Sequence, residues 1–253
     1  MDDSALALLR FKISLPRAHP QVVPRTRLGS PLASASAPAL WLLSAPAGYG
    51  KTTLALEWAQ QMTGHAGWYS LDVSDNDPGR FFSHLYGALQ LARTGALSSE
   101  GAPGPNQPLE AYLPALLQLM NRDETPLLLV LDDYHVIQEA RIHELLRQLI
   151  LHLPPHIKLV ITSRLLPPLG VAGLQVKGVA TSIEARHLQF NLPEAQQFLH
   201  QELSHTLAPE ELQEVWSKLA GWPGGLKLFC LLARERASSA LAEAIYSASM
   251  APR

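Results

Sequence analysis

Ala39-Leu40-Trp41-Leu42-Leu43-Ser44-Ala45-Pro46-Ala47-Gly48-Tyr49-Gly50-Lys51-Thr52-Thr53 is an apolar run that breaks into a glycine-containing turn and closes on Gly-Lys-Thr-Thr. It reads as strand, phosphate-binding loop, helix. The strict loop pattern is Gly, four residues, then Gly-Lys-Ser/Thr, and Ala45 takes the first position. In such a loop successive backbone N–H groups turn inward as an anion nest, and the following helix offers its positive dipole end to the same phosphates. Lys51 would add a full charge near the β- and γ-phosphates, and Thr52 would ligate Mg²⁺ through its hydroxyl.

Downstream of the loop, the spacing predicts a helix over 52–62, carrying Leu54, Leu56, Trp58, Ala59 and Met62, with no breaker until Gly64. Trp68-Tyr69-Ser70-Leu71-Asp72 reads as a short aromatic strand. Asp77 is placed as an N-cap with Pro78 at the first helical position, opening a helix to about Ala92. Residues 94–108 repeat Gly, Ser and Pro without periodicity and read as a surface loop or a disordered insertion, expected to be mobile. Leu113, Leu116, Leu117 and Met120 then mark an amphipathic helix.

Two long apolar strands follow. Pro126-Leu127-Leu128-Leu129-Val130-Leu131 ends on Asp132-Asp133, and Ile157-Lys158-Leu159-Val160-Ile161-Thr162 ends on Ser163-Arg164. Between them Ile142, Leu145, Leu146 and Leu149 repeat at helical spacing, and a fifth strand is expected over 179–184. Continuous apolar strands alternating with helices predict a parallel sheet covered on both faces, with ligands at the carboxyl ends of the strands. From Asn191 the pattern turns purely helical, with Asn191 and Glu194 as a capping pair. Leu212, Val215, Trp216 and Leu219 mark the next helix, which Gly221-Trp222-Pro223-Gly224-Gly225 breaks before a third over about 225–235. The expected organisation is an N-terminal arm (1–38), an α/β domain (39–187) and a small helical subdomain (188–253) whose tail from Ala237 is weakly helical at best.

Composition narrows the class. In 253 residues, 47% hydrophobic and 17% charged content excludes a disordered chain, and a net charge of −2 gives no electrostatic footprint for nucleic acid or anionic membrane. The single cysteine, Cys230, excludes an internal disulfide and reads as an inert core thiol. The acidic start Met1-Asp2-Asp3 has too short an apolar stretch behind it for a signal peptide, and no run reaches the roughly 18 apolar residues of a membrane span, so a cytoplasmic protein is expected.

A nucleoside triphosphate site needs a phosphate cradle, an acid holding the metal, an acid orienting water and a cation sensing the terminal phosphate. Ala45, Pro46, Ala47, Gly48, Tyr49, Gly50, Lys51, Thr52 and Thr53 supply the cradle; Asp132 would hold Mg²⁺, Asp133 would polarise water, and Arg164 would reach the γ-phosphate. His135 follows the acid pair and either touches the site or, as the favoured expectation, packs or bonds locally. His143-Glu144-Leu145-Leu146-Arg147 has Arg where a helical zinc motif needs its second His, and no Gly-x-Ser-x-Gly elbow occurs.

Together these residues resemble the signal-transducing STAND P-loop ATPases, specifically the nucleotide-binding domain of MalT-like regulators of the LuxR class. The likeness is carried by the loop from Ser44 to Thr53, by Trp68-Tyr69-Ser70-Leu71-Asp72 with Asp75-Asn76-Asp77 and Arg80-Phe81, by Leu131-Asp132-Asp133-Tyr134-His135, and by Thr162-Ser163-Arg164. It implies a three-layer P-loop fold with a parallel five-stranded sheet in the order 5-1-4-3-2. It implies that Val22, Val23 and Arg25 belong to an arm facing the nucleotide, although Pro24 and Thr26 stand where relatives often show Gly and Glu. It implies that Pro223 packs on the adenine side in a lid. The family exchanges ADP for ATP, self-associates and activates transcription through sensor and DNA-binding domains that do not fit after Arg236, so a fragment or a shortened member is expected, with no direct nucleic-acid contact by this part. The residues also admit an AAA+-like mechanochemical ATPase, a small-molecule kinase, or a nucleotide-dependent interaction domain without hydrolysis.

Overall fold

A computed structural model describes residues 9–17, 22–32, 34, 36–98, 101–103, 107–203 and 206–235. The chain divides into two compact units. The first comprises residues 1–18, 26–46 and 51–185, the second residues 19–25, 47–50 and 186–253. The arm and the phosphate loop are therefore each divided: 19–25 and the loop apex 47–50 group with the helical residues.

The first unit is built on five strands, β1 Leu40–Ser44, β2 His65–Ser70, β3 Leu127–Asp132, β4 Ile157–Ser163 and β5 Ala180–Glu184. They pair in the order β2-β3-β4-β1-β5, every pair parallel, which is the expected 5-1-4-3-2 order read from the other edge. Every residue of β3 and β4 is buried. Strands so covered need mostly apolar side chains on both faces, which is why β3 is a continuous apolar run and β4 is one apart from Lys158 and the Thr162-Ser163 end. The register aligns Ser44 with Ser163 and Ser70 with Asp132, so the carboxyl ends of β1, β2, β3 and β4 lie along one edge.

The connecting helices are α1 Lys51–Gln61, α2 Pro78–Thr94, α3 Tyr112–Met120, α4 Ala140–Leu151 and the short α5 Val171–Val176. Local chemistry sets their ends. Asp77 caps α2 by accepting from Arg80 N at 2.7 Å, Pro78 pre-sets the first turn, and Gly95 ends the helix with φ 71°. Strand β2 begins at His65, earlier than the aromatic run suggests, because His65 N bonds Pro126 O at 2.9 Å. Gly64 makes that approach feasible, since a Cβ there would stand 2.1 Å from Pro126 O. The core joins Tyr69, Phe81, Phe82 and Tyr134 to Leu127, Leu129 and Leu131 of β3 and the apolar face of α4.

In the second unit the short α6 Ala185–Leu188 enters a helical array of α7 Leu192–Glu202, α8 Pro209–Leu219 and α9, which is helical over 223–235. Asn191 and Glu194 form the expected capping box, with Glu194 N to Asn191 Oδ1 and Asn191 N to a Glu194 carboxylate oxygen both at 2.9 Å. The break before α9 is shorter than the glycine count suggests. Ala220 (φ 48°) and Gly221 (φ 65°) are both left-handed, and α9 starts at Pro223, the position where a missing N–H costs nothing. At Gly221 a Cβ would stand 2.3 Å from Phe190 O, and the two backbones bond through Phe190 N to Gly221 O at 2.7 Å. Val23 of the arm is buried in this unit's core beside Phe190, Leu199, Leu226 and Cys230. The expected weak helicity from Ala237, and positions 99–100 and 104–106 of the expected mobile loop, lie outside the described residues.

Candidate nucleotide-phosphate site

The phosphate loop leaves β1 through Ala45, whose N–H bonds Ser163 O at 3.2 Å, and turns through Gly48 and Gly50, with φ 78° and 77°. Only glycine adopts that left-handed conformation without steric cost, and it is the conformation that lets successive N–H groups converge. Helix α1 begins at Lys51. The Lys51 ammonium is buried, with 7% of the residue exposed, and donates to Pro46 O at 2.9 Å. Burial lowers its pKa; Asp133 and Asp132 oppose that shift and Arg164 reinforces it.

One carboxylate oxygen organises the strand ends of the first unit. Asp132 Oδ1 accepts from Thr52 Oγ1 at 2.9 Å and from Thr162 Oγ1 at 2.6 Å. Thr162 Oγ1 in turn accepts from Asp133 N at 2.9 Å, so one hydroxyl fixes both acids. Burial raises the Asp132 pKa, against the lowering effect of its two hydroxyl donors. Such a desolvated carboxylate gains by meeting a cation. Asp133 sits at φ 59°, an uncommon conformation for a residue other than glycine, and its side chain stays half exposed beyond the strand. His135 Nδ1 is 3.7 Å from Asp133 Oδ1, and this buried ring nitrogen makes no hydrogen bond. Arg164 is exposed, directly after β4.

The segment behind the acids is held by a residue that the motif reading quotes without a role. Asn76 donates to Val73 O at 3.1 Å and to Val136 O at 2.8 Å, and its carbonyl accepts from Gln138 N at 2.6 Å and Glu139 N at 3.2 Å. Its whole hydrogen-bonding capacity is used to fasten the turn after β2 to the segment after β3. Neighbouring Asp75 is fully buried and bonds Lys12 Nζ at 2.6 Å and Asp72 N at 2.8 Å. Burial works to raise its pKa but is overcome by its neighbours, first His84, whose Nδ1 lies 3.5 Å away, then Lys12 and the Asp72 N–H, which hold it well below the usual carboxylate range. Composition carried no signal for either contact, because both partners lie 60 or more residues away.

In the second unit the loop apex, Ala47, Gly48 and Tyr49, lies against Trp222 and Gly224. Pro223 is half-buried between these two contacts. Arg25 is buried; its guanidinium donates to Leu188 O at 2.7 Å and Gln189 O at 3.1 Å, stands 3.4 Å from Glu194 and lies 4.7 Å over the Phe190 ring. Val22 is half-buried, Val23 is in the core and Thr53 is exposed. Elsewhere, His143 is tied to Tyr134 Oη at 2.8 Å, and among the described residues no group of three or more His, Cys, Asp or Glu side chains could hold a metal alone. No described helix is long and apolar enough to cross a membrane.

Over 236 residues, 92% of its length, the chain is 39% identical to the HTH-type transcriptional regulator MalT of Yersinia enterocolitica. The regulator of the same name from Cronobacter sakazakii is 39% identical over 231 residues. The chain spans 26% of the length of these curated relatives. No protein-family model matches it. Among solved structures the chain is similar to the Aeropyrum pernix ORC1 protein in complex with DNA, with a TM-score of 0.47, 15% identity, and coverage of 92% of this chain and 60% of that one.

Proposed function

We propose that this chain is the ATP/ADP-binding module of a MalT-like transcription regulator and acts as a nucleotide switch with slow, Mg²⁺-dependent hydrolysis. The observation that carries the reading is Asp132 Oδ1 bonded to Thr52 of the phosphate loop and to Thr162 of β4, beside a buried lysine. Such an arrangement brings together at one strand edge the groups that an NTP site needs.

Each side chain has a task in this reading. Lys51 meets the β- and γ-phosphate oxygens with a charge that burial leaves poorly screened. The hydroxyl of Thr52 and the carboxylate of Asp132 are hard oxygen donors, 2.9 Å apart, and would hold Mg²⁺ with the phosphates completing its shell. Bound there, the ion would neutralise charge developing on the phosphate oxygens. Asp133, half exposed, accepts a proton from the attacking water, and exposed Arg164 reports the γ-phosphate by a charge-assisted hydrogen bond. Val22, Val23, Arg25 and Pro223 are assigned to the adenine side. Arg25 acts there through the backbone it holds at Leu188 and Gln189. Self-association in the ATP state, and attachment to sensor and DNA-binding domains, belong to the same reading.

The deciding experiment denatures the purified chain, assays released nucleotide, and titrates ADP and ATP with and without Mg²⁺ against wild type and Lys51→Ala. Tight binding that Lys51→Ala lowers by a hundredfold or more is expected. Absence of both released nucleotide and measurable affinity in the wild type refutes the reading.

A further inference from the structure

The turn that opens α9 holds the phosphate loop by its backbone. Trp222 Nε1 donates to Ala47 O at 3.3 Å, and Gly224 N donates to Gly48 O at 2.7 Å. The Tyr49 and Trp222 rings pack with centroids 6.4 Å apart and planes tilted by 32°. The approach leaves no room for side chains. At Gly48 a Cβ would stand 2.9 Å from Trp222 Nε1, and at Gly224 one would stand 3.0 Å from both Gly48 Cα and Gly48 O.

These two bonds have a directional consequence. A peptide unit is planar and trans, so the carbonyl of one residue and the N–H of the next point in opposite directions from one rigid plate. Holding Ala47 O aims the Gly48 N–H away from the indole, and holding Gly48 O aims the Tyr49 N–H away from Gly224. In an anion nest the work is done by N–H groups that must already converge before the ligand arrives. A free loop with glycines at two positions would lose backbone entropy on every binding event.

We infer that Trp222 and Gly224 are positioning residues for the nucleotide's phosphates: they clamp the two outward carbonyls at the loop apex and so pre-orient the Gly48 and Tyr49 amides toward the β-phosphate. This rests on the nucleotide-binding reading, and it differs from a contact of the same turn with the base. The clamp sets phosphate affinity, whichever base is attached.

The test uses the full chain and displacement of a fluorescent ADP analogue, with ADP and with inorganic tripolyphosphate as a base-free competitor. Gly224→Ala is expected to weaken both competitors tenfold or more. Trp222→Phe, which keeps the ring but removes the donor, should weaken both about threefold to tenfold. Leu226→Ala, a core truncation in the same unit, should leave both within twofold at a temperature where it stays folded; a loss equal to that of Gly224→Ala would make the turn's role merely structural and overturn the clamp. If Gly224→Ala does not fold, Trp222→Phe decides. Wild-type binding with unchanged variant affinities refutes the clamp alone, as does weakening of ADP without weakening of tripolyphosphate. A wild type that binds no nucleotide refutes the underlying reading as well.

Discussion

Thr52 Oγ1 donates to Asp132 Oδ1 at 2.9 Å, joining the first turn of α1 to the end of β3 across 80 residues of chain. In the proposed function Mg²⁺ would take the place of this hydrogen bond between a hydroxyl and a buried carboxylate. Asp132→Asn keeps the size of the side chain and removes the charge. It should raise the Mg²⁺ concentration needed for ATP binding tenfold or more, while Mg²⁺-free ADP binding stays within about threefold. Titration calorimetry at graded Mg²⁺ checks this; equal Mg²⁺ dependence in variant and wild type refutes it.

Asp75 gives the first unit an acid-sensitive joint. Its folded pKa is depressed by the net effect of its donors, so its contribution to stability is complete above the unfolded value of about 4 and is lost as pH falls below it. Asp75→Asn removes the charge paired with Lys12 and should cost about 3–5 kcal/mol near neutral pH. The gap between variant and wild type should narrow as pH is lowered through 4. Urea unfolding across that range measures it.

Asn76 reaches Val136, Gln138 and Glu139, so its truncation acts on the segment that follows Asp133 and His135. Asn76→Ala should cost about 1–3 kcal/mol of stability by stranding those backbone groups. Single-turnover hydrolysis should slow more than tenfold with ADP affinity preserved, because the phosphate loop does not touch Asn76. A variant that loses both in equal proportion would place Asn76 elsewhere in the function.

Cys230 is buried, and its thiol is pushed up to about 11, first by burial and then by Glu202. The native chain at pH 8 should react with an aromatic disulfide reagent at least a hundredfold more slowly than the urea-unfolded chain, since the thiolate is the attacking species. Comparable rates would show the helical core to be open.

The sheet was legible because β3, and β4 apart from Lys158, are apolar runs of the kind a strand covered on both faces needs, and they run out at Asp132-Asp133 and just before Arg164. Asn191 with Glu194, and Asp77 with Pro78, announced helix starts because capping is chemistry between neighbours. Helices α5 and α6 escaped notice because six and four residues are too few to display a period. The grip of Asn76 on the segment after β3, and of Gly224 on the loop apex, was invisible for another reason. Neither depends on side-chain type at the receiving end, since both act on backbone groups. Arg25, read as facing a nucleotide, uses its guanidinium on the carbonyls of Leu188 and Gln189.

The strand that carries the phosphate loop is flanked in the finished sheet by residues 157–163 on one side and 180–184 on the other. Both neighbours come late. While the chain emerges from a ribosome, Leu40 to Ser44 has neither native edge partner until more than a hundred further residues have been made, a long-range closure of the kind that folds slowly. Its apolar face must be sheltered through that interval, and a nascent chain halted before residue 157 has a loop sequence but no native strand pairing beneath it. Birth order thus makes a fully paired strand beneath residues 45–53 a sign that the α/β unit is complete.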